Sequence, residues 1–368
     1  MKLSIARSEL VEALSIVSKG MSSRSTLPIL SGIYFSADDG LLTLQSTDLE
    51  VSVKHSIPAL TDDGGQVVIP GRLLTDIVRS LPEAAVTLET EGDHVLVRCQ
   101  QSAFTVKTLN SSDFPKFPEV AVSESFKLPS SVLSSMVRKV AKAVSRDETR
   151  AVLTGVLMVI DGPMIKMVAT DSYRLAMDEV ILEESAGAQI EVVVPGRALD
   201  EATKIAAGSS DVIVGVSDNQ VVFESGETTF VARRIEGTFP NYKQLVPERS
   251  DDDTVITIAT DELAAAVKRV SLLALHNAPL RVSVSVEDQT LSLSATTQDV
   301  GDASEDLMVK VEGKDVEIAF NHSFMTDGLA SVSTDTVSLL IQSAMKPGLL
   351  RSSEGEDFRY LLMPVRLG

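Results

Sequence analysis

Five consecutive residues, Thr170-Asp171-Ser172-Tyr173-Arg174, gather a carboxylate, three hydroxyl groups and a guanidinium, the inventory of a small acid–base or anion-binding site. Thr47-Asp48 repeats the start of that pattern earlier in the chain. A Thr-Asp pair directly after a strand is more often a turn whose side chains bond backbone N–H groups, so the pattern has a structural reading beside the catalytic one. Other chemistry lacks its residues. The four histidines, His55, His94, His276 and His322, show no metal-ligand spacing, and Cys99 has no partner cysteine. Neither a phosphate-binding glycine loop nor a nucleophile elbow occurs. No cofactor is expected.

The elements that would position such residues repeat. Val68-Ile69-Pro70-Gly71-Arg72 returns as Val194-Pro195-Gly196-Arg197, 125 residues on, and a degenerate Ile318-Ala319-Phe320-Asn321 follows after the same interval. Thr47-Asp48 and Thr170-Asp171, Phe104-Thr105-Val106-Lys107 and Phe230-Val231-Ala232-Arg233, and Phe114-Pro115 and Phe239-Pro240 keep step. A period of about 123 residues is too long for a solenoid unit and matches an ordinary domain with its own core. The chain reads as three consecutive domains, 1–122, 123–250 and 251–368.

Each copy opens with a short strand and an amphipathic helix. In the second, Leu133, Met136, Val137, Val140 and Val144 form one apolar stripe, with Arg138, Lys139, Lys142 and Arg146 assigned to the opposite face. Hairpin signals follow, such as Ile33-Tyr34-Phe35 before Asp38-Asp39-Gly40, then a second helix after each Pro-Gly-Arg, then further alternating strands. This predicts an α+β fold, two helices on one face of antiparallel sheet in each copy.

Composition narrows the class. With 44% hydrophobic and 23% charged residues, one cysteine and no signal-like or 20-residue apolar run, a cytoplasmic protein without membrane contact is expected. The net charge of −19 argues against gripping DNA by wholesale phosphate neutralisation, yet the predicted helices carry local positive charge. A domain of this size is about 35 Å across, and six in a ring leave a hole of roughly 35 Å, enough for a duplex about 20 Å wide. Two chains placed head to tail would supply six. The cations expected to face such a hole are Arg24, Arg72 and Arg197 beside turns, and Arg138, Lys139, Lys142 and Arg146 on the helix.

Thr26-Leu27-Pro28-Ile29-Leu30, the two Pro-Gly-Arg turns, Ala169 through Ala176, Phe239-Pro240-Asn241-Tyr242 and Met363-Pro364-Val365-Arg366-Leu367 keep an order and spacing that resembles the bacterial DNA polymerase III beta subunit, the sliding clamp, over essentially the whole chain. The resemblance implies three clamp (processivity-fold) domains, sheets outside and helices inside, in a ring-shaped homodimer with six-fold pseudo-symmetry. It also implies a function without catalysis: encircling double-stranded DNA independently of sequence and tethering the replicative DNA polymerase, after loading by a clamp loader. By position, a groove for short partner motifs such as Gln-Leu-x-Leu-Phe, carried by other polymerases and repair proteins too, would be built from Leu153, Thr170, Ser172, Tyr173, Arg174, Leu175, Pro240, Gln244 and Leu245. The third domain would add Asn321, Phe324, Met345, Pro347, Leu361, Leu362, Met363, Pro364, Val365 and Arg366. From residues alone the apolar tail reads either as a last core strand or as a surface accepting several peptides. Phe104, Val106, Leu272 and Leu273 correspond to the dimer contact. Ser172-Tyr173 stands where the family often has Gly-His, and Ala151-Val152 where some members carry DNA-touching tyrosines. The rival functions are an enzyme acting at Thr170–Arg174 and a repeated adhesion or scaffold module.

Overall fold

The computed structural model describes residues 1–22, 27–183, 189–247, 250, 253–275, 278–352 and 357–366. The first copy of the repeat runs β1 (Lys2–Ala6), α1 (Arg7–Val17), β2 (Gly32–Asp38), β3 (Leu41–Thr47), β4 (Val51–Pro58), β5 (Leu60–Asp63), β6 (Gly65–Pro70), α2 (Gly71–Ser80), β7 (Ala85–Glu91), β8 (His94–Cys99) and β9 (Ser102–Lys107). The second runs β10 (Glu124–Pro129), α3 (Ser130–Val140), β11 (Gly155–Asp161), β12 (Met164–Thr170), β13 (Arg174–Ile181), β14 (Gln189–Pro195), α4 (Gly196–Ala206), β15 (Asp211–Val216), β16 (Gln220–Ser225) and β17 (Thr228–Arg233). The third runs β18 (Thr254–Ala259), α5 (Thr260–Val270), β19 (Leu280–Ser285), β20 (Thr290–Thr297), β21 (Gly301–Met308), β22 (Lys310–Glu312), β23 (Val316–Phe320), α6 (His322–Leu329), β24 (Thr336–Ile341), β25 (Gly348–Ser352) and β26 (Arg359–Leu362).

The helices follow their patterns. In α2, Leu74, Ile77 and Val78 are buried while Arg72, Asp76 and Arg79 stay exposed, a single stripe at helical spacing. In α5, Asp261 and Glu262 lie in the first turn and Lys268 and Arg269 in the last, opposing the helix dipole at both ends. Asn321 caps α6, its side-chain oxygen accepting from the N–H groups of Ser323 and Phe324. Asn321, rather than Phe320, therefore takes the position that Pro70 and Pro195 hold before α2 and α4, so the third interval is one residue longer than the sequence spacing suggested. The repeat is also written in backbone bonds. Leu109 donates to Val68, Ile235 to Val193 and Val365 to Ala319, each at 2.8 Å.

Packing divides the chain into two compact units, residues 1–131 with 201–234 and residues 132–200 with 235–368. The division cuts through the middle copy because its strands join two different sheets. In the first unit an eight-stranded antiparallel sheet runs β10-β15-β16-β17-β4-β3-β2-β6, and a five-stranded sheet runs β5-β1-β7-β8-β9. In the second a nine-stranded sheet runs β14-β11-β12-β13-β26-β25-β24-β18-β22, and a four-stranded sheet runs β21-β20-β19-β23. α1 packs on α2 in the first unit and α5 on α6 in the second.

Two strand pairs link successive copies. β17 meets β4 with Phe230 opposite Val53, and β26 meets β13 with Tyr360 opposite Ala176. Beside the second junction lies a cluster of Leu157, Val168, Leu175, Met177, Val193, Phe239, Tyr242, Leu340, Leu349 and Leu361. These residues are why the two halves of that sheet stay together: each fully buried aliphatic or aromatic side chain contributes about 1.5–3 kcal/mol.

Candidate functional site

The segment Thr170–Arg174 is a turn. The Thr170 hydroxyl donates to the Arg174 carbonyl at 2.7 Å, and Asp171 Oδ1 accepts from the N–H groups of Tyr173 and Arg174 at 2.9 and 3.0 Å. Thr47 and Asp48 build the same turn in the first copy, with Thr47 donating to the Val51 carbonyl at 2.8 Å. Ser172 and Leu49 take the same left-handed backbone, φ 78° and 77°. The Thr170 hydroxyl and the Asp171 carboxylate are thus engaged in holding backbone, which is the structural reading of the pattern rather than the catalytic one.

The turn presents rather than buries its tip. Ser172 and Tyr173 are exposed, and the Tyr173 carbonyl accepts from the Met363 N–H at 2.9 Å, fastening the tip to the chain beyond β26. Pro240, Gln244, Leu245, Met345, Met363 and Arg366 are exposed, and Asn321, Phe324, Pro347, Pro364 and Val365 are half-buried. A cleft of about 390 Å³ is lined by Ile318, Ala319, Ala344, Met345, Val365 and Arg366. Three of those residues, Ile318, Ala319 and Ala344, were not among the sequence candidates; the degenerate third Pro-Gly-Arg copy contained two of them.

Five candidates lie deeper than a lining residue. Leu153, Thr170, Leu175, Leu361 and Leu362 are buried, and Leu175 and Leu361 belong to the core cluster of the nine-stranded sheet. Leu361 and Leu362 alternate across β26, an interior strand covered on both faces, so they cannot both face one groove.

Arg174 is also turned inward. Its Nε donates to Asp171 at 3.0 Å, Nη1 to Asp327 at 2.5 Å and to the Tyr360 hydroxyl at 3.2 Å, and Nη2 to the Lys142 carbonyl at 2.5 Å. The guanidinium carbon lies 4.4 Å from the centre of the Phe324 ring, a cation–π contact. Burial pushes the Tyr360 phenol well above its usual range, against the opposing effect of Arg174, so it stays protonated and donates to the Phe324 carbonyl at 3.1 Å. Arg174 ties the turn to α6 and β26, with 10% of its side chain exposed. Asp327 and Tyr360, its partners, carried no sequence signal pointing to it.

Among the cations, Arg72, Arg138, Lys142, Arg146 and Arg197 are exposed, and their side chains form no ion pair with a described residue. Arg24 lies outside the described residues. Lys139 overturns its assignment: it is 4% exposed, 3.2 Å from Asp178, with its ammonium 6.0 Å from the Phe358 ring. It sits three residues after Met136 and next to Val140, on the flank of the apolar stripe, and Asp178 of β13 draws it inward. The basic face keeps Arg138, Lys142 and Arg146.

At the expected dimer contact, Phe104 is 37% and Leu272 71% exposed, and Leu273 is half-buried. Val106 is 3% exposed and is a core residue in the isolated chain, because on β9 it points toward the sheet's covered face. Among the described residues no group of His, Cys, Asp and Glu is placed to hold a metal ion.

One α+β domain used three times, joined edge to edge by strand pairing and presenting a groove bounded by loops, is the architecture of the sliding clamps. Models of the DNA polymerase III beta subunit match in chain order, the N-terminal domain over residues 1–118, the central domain over 127–241 and the C-terminal domain over 243–366. The beta sliding clamp of Streptomyces coelicolor is 34% identical with all of both chains covered, and that of Staphylococcus epidermidis is 32% identical over 100% of this chain and 99% of its own. The DNA polymerase sliding clamp of Bacillus subtilis superposes with a TM-score of 0.95 at 29% identity, both chains fully covered. A sliding clamp from Pseudomonas aeruginosa bound to griselimycin does so at 0.93 and 28%, again over both full chains. The chain belongs to the DNA polymerase III beta subunit family.

Proposed function

We propose that the chain acts as a DNA polymerase sliding clamp: two copies close into a ring around double-stranded DNA, and partner proteins dock in the groove beside Tyr173 and Met363. The observation that carries this is the pair of unmatched sheet edges. Two junctions, β17–β4 and β26–β13, continue a sheet from one copy into the next, while β9 ends one sheet and β21 ends another. β9 is the counterpart of β17, since Val97 faces Phe104 as Phe223 faces Phe230. β21 is the counterpart of β4 and β13, following a shorter turn in which Asp299, two residues after Thr297, is left-handed at φ 61° as Leu49 and Ser172 are.

The register follows from counting. The pairs after the turn are Thr47–Ser52, Thr170–Leu175 and, with a turn one residue shorter, Thr297–Gly301. Asp302 thus stands where Val53 and Ala176 stand, and Phe104 of one chain would lie opposite Asp302 of the partner subunit, with Ala103 opposite Ala303. The five-stranded and four-stranded sheets would then make nine strands, as in the second unit's large sheet. Paired edges also remove two strands otherwise open to aggregation.

In this reading the domains are 1–122, 123–250 and 251–368, and Arg72, Arg138, Lys142, Arg146 and Arg197 face the duplex. Few phosphate contacts suffice where topology retains the DNA, and the excess of acid elsewhere limits non-specific binding. The replicative polymerase, the clamp loader and other motif-bearing polymerases and repair proteins would use the same groove in turn. The protein supplies no chemistry of its own and works in the cytoplasm; among the described residues no helix is long and apolar enough to cross a membrane. Retention on nicked circular duplex tests the reading. The protein should stay on the circle through gel filtration in high salt and leave when the circle is cut; equal loss from both forms would contradict it.

A further inference from the structure

Methionine is flexible and polarisable, which suits a surface that accepts varied apolar partners, and its sulfur is also open to attack by oxidants. The chain has 11 methionines, so their exposure decides which sulfurs an oxidant in solution can reach. Met136, Met158, Met167, Met177 and Met325 are buried, and Met1, Met21 and Met164 are half-buried. Three are exposed: Met308 at 71%, Met345 at 65% and Met363 at 43%. Met345 and Met363 belong to the groove. We propose that these two are oxidation sites through which hydrogen peroxide weakens the empty groove's hold on apolar partner segments.

This rests on the groove reading above and adds a regulation to it. Both residues are fixed at the surface by backbone bonds. Met345 stands in a turn that the Lys346 N–H closes on the Ser343 carbonyl at 3.3 Å, and it lines the cleft together with Val365 and the buried Ile318 and Ala319. Met363 follows β26, its N–H donating to the Tyr173 carbonyl at 2.9 Å. The thioether sulfur gives an electron pair to one oxygen of hydrogen peroxide, the O–O bond breaks, and the departing hydroxide leaves as water with the proton of the transferred oxygen. The sulfide is oxidised by two electrons and the peroxide reduced by two. The sulfoxide places a polar group where the groove offers apolar contact, and a partner's leucine or phenylalanine must then desolvate it. A seated partner covers the same sulfurs, so only unoccupied grooves are modified. Methionine sulfoxide reductases and a dithiol return the two electrons and release the oxygen as water. Cys99, the one cysteine, is 1% exposed, its thiol 3.6 Å from the Pro82 carbonyl, so mild peroxide spares it.

The full-length protein is treated with mild hydrogen peroxide, which is then removed, and mass spectrometry of its peptides locates the added oxygen. Met308, Met345 and Met363 should be oxidised before any buried methionine. Calorimetry with a synthetic Gln-Leu-Ser-Leu-Phe peptide should then show binding about tenfold weaker than to the untreated protein. Saturating peptide during treatment should spare Met345 and Met363 while Met308 is still oxidised. Variants are read by the ratio of affinities before and after peroxide, since Met345 and Met363 lie in the groove themselves. Met345→Leu with Met363→Leu, which keeps apolar volume, should bring that ratio to about one, whereas Met308→Leu should leave it at about ten. A loss that survives the double replacement, oxidation of both sulfurs without a loss, or peptide that fails to protect them would overturn the inference alone. Failure of the untreated protein to bind the peptide would overturn the groove reading and the inference with it.

Discussion

Lys139 and Lys142 lie one turn apart in the sequence and have opposite fates. Lys139 is enclosed with Asp178, while the Lys142 ammonium reaches solvent. Removing one partner of an enclosed pair strands the other charge, so Lys139→Met should destabilise the fold by about 3–5 kcal/mol, read from urea unfolding. Lys142→Glu with Arg146→Glu should leave unfolding nearly unchanged and shorten residence on nicked circular DNA, most strongly at low salt. The reverse pattern would return Lys139 to the duplex-facing set. The helical stripe of α3 was legible in the sequence, since Leu133, Met136, Val137 and Val140 are all buried. The inward course of Lys139 was not, because its cause is a carboxylate 39 residues away on a strand. The partners of Arg174 were illegible for the same reason: the acids and the phenol that hold it reach it from 153 and 186 residues downstream as well as from three upstream.

Among the elements, the Thr-Asp turn was readable because its bonds are local, from side chain to backbone within four residues. The sheets that join successive copies were not, since strand partners 173 residues apart leave no periodic trace; this is why three equal stretches of sequence fold into two packed units. His55 marks one such junction. It lies on β4 opposite Thr228 of β17, with Nδ1 2.8 Å from the Thr228 hydroxyl. Burial lowers its pKa below the ordinary value, against the opposing pull of Glu12 and Glu227. The folded state therefore binds this proton later than the unfolded chain as pH falls. Above the ordinary histidine range both states are neutral and the residue has no effect; as pH drops through that range stability is lost, until the folded form protonates too. His55→Gln should make the fall in melting temperature between pH 7.5 and pH 5.5 smaller than in the unaltered protein. An unchanged fall would show that His55 does not contribute to it.

For the whole molecule, the account makes dimerisation an extension of the fold rather than an added contact. A strand pair such as β17–β4 holds through backbone bonds and the side chains packed beside them, and the β9–β21 pair would use the same means with Leu272 and Leu273 as its apolar margin. Leu272→Ala with Leu273→Ala should give monomers by analytical ultracentrifugation, with secondary structure retained, because Leu272 is largely exposed within one chain and contributes little to its core. A dimer of unaltered affinity would place the contact elsewhere. The most direct measurement joins register to topology. A protein carrying Ala103→Cys and Ala303→Cys is loaded on nicked circular duplex by a clamp loader with ATP under reducing conditions, oxidised and then exposed to denaturing detergent. The account predicts covalent dimers that remain threaded on the circle and are released when it is linearised, whereas Ala103→Cys with Met308→Cys gives neither. Cross-linked dimers that denaturant strips from an intact circle, or no cross-linking between residues 103 and 303, would contradict a ring closed by these two strands around DNA.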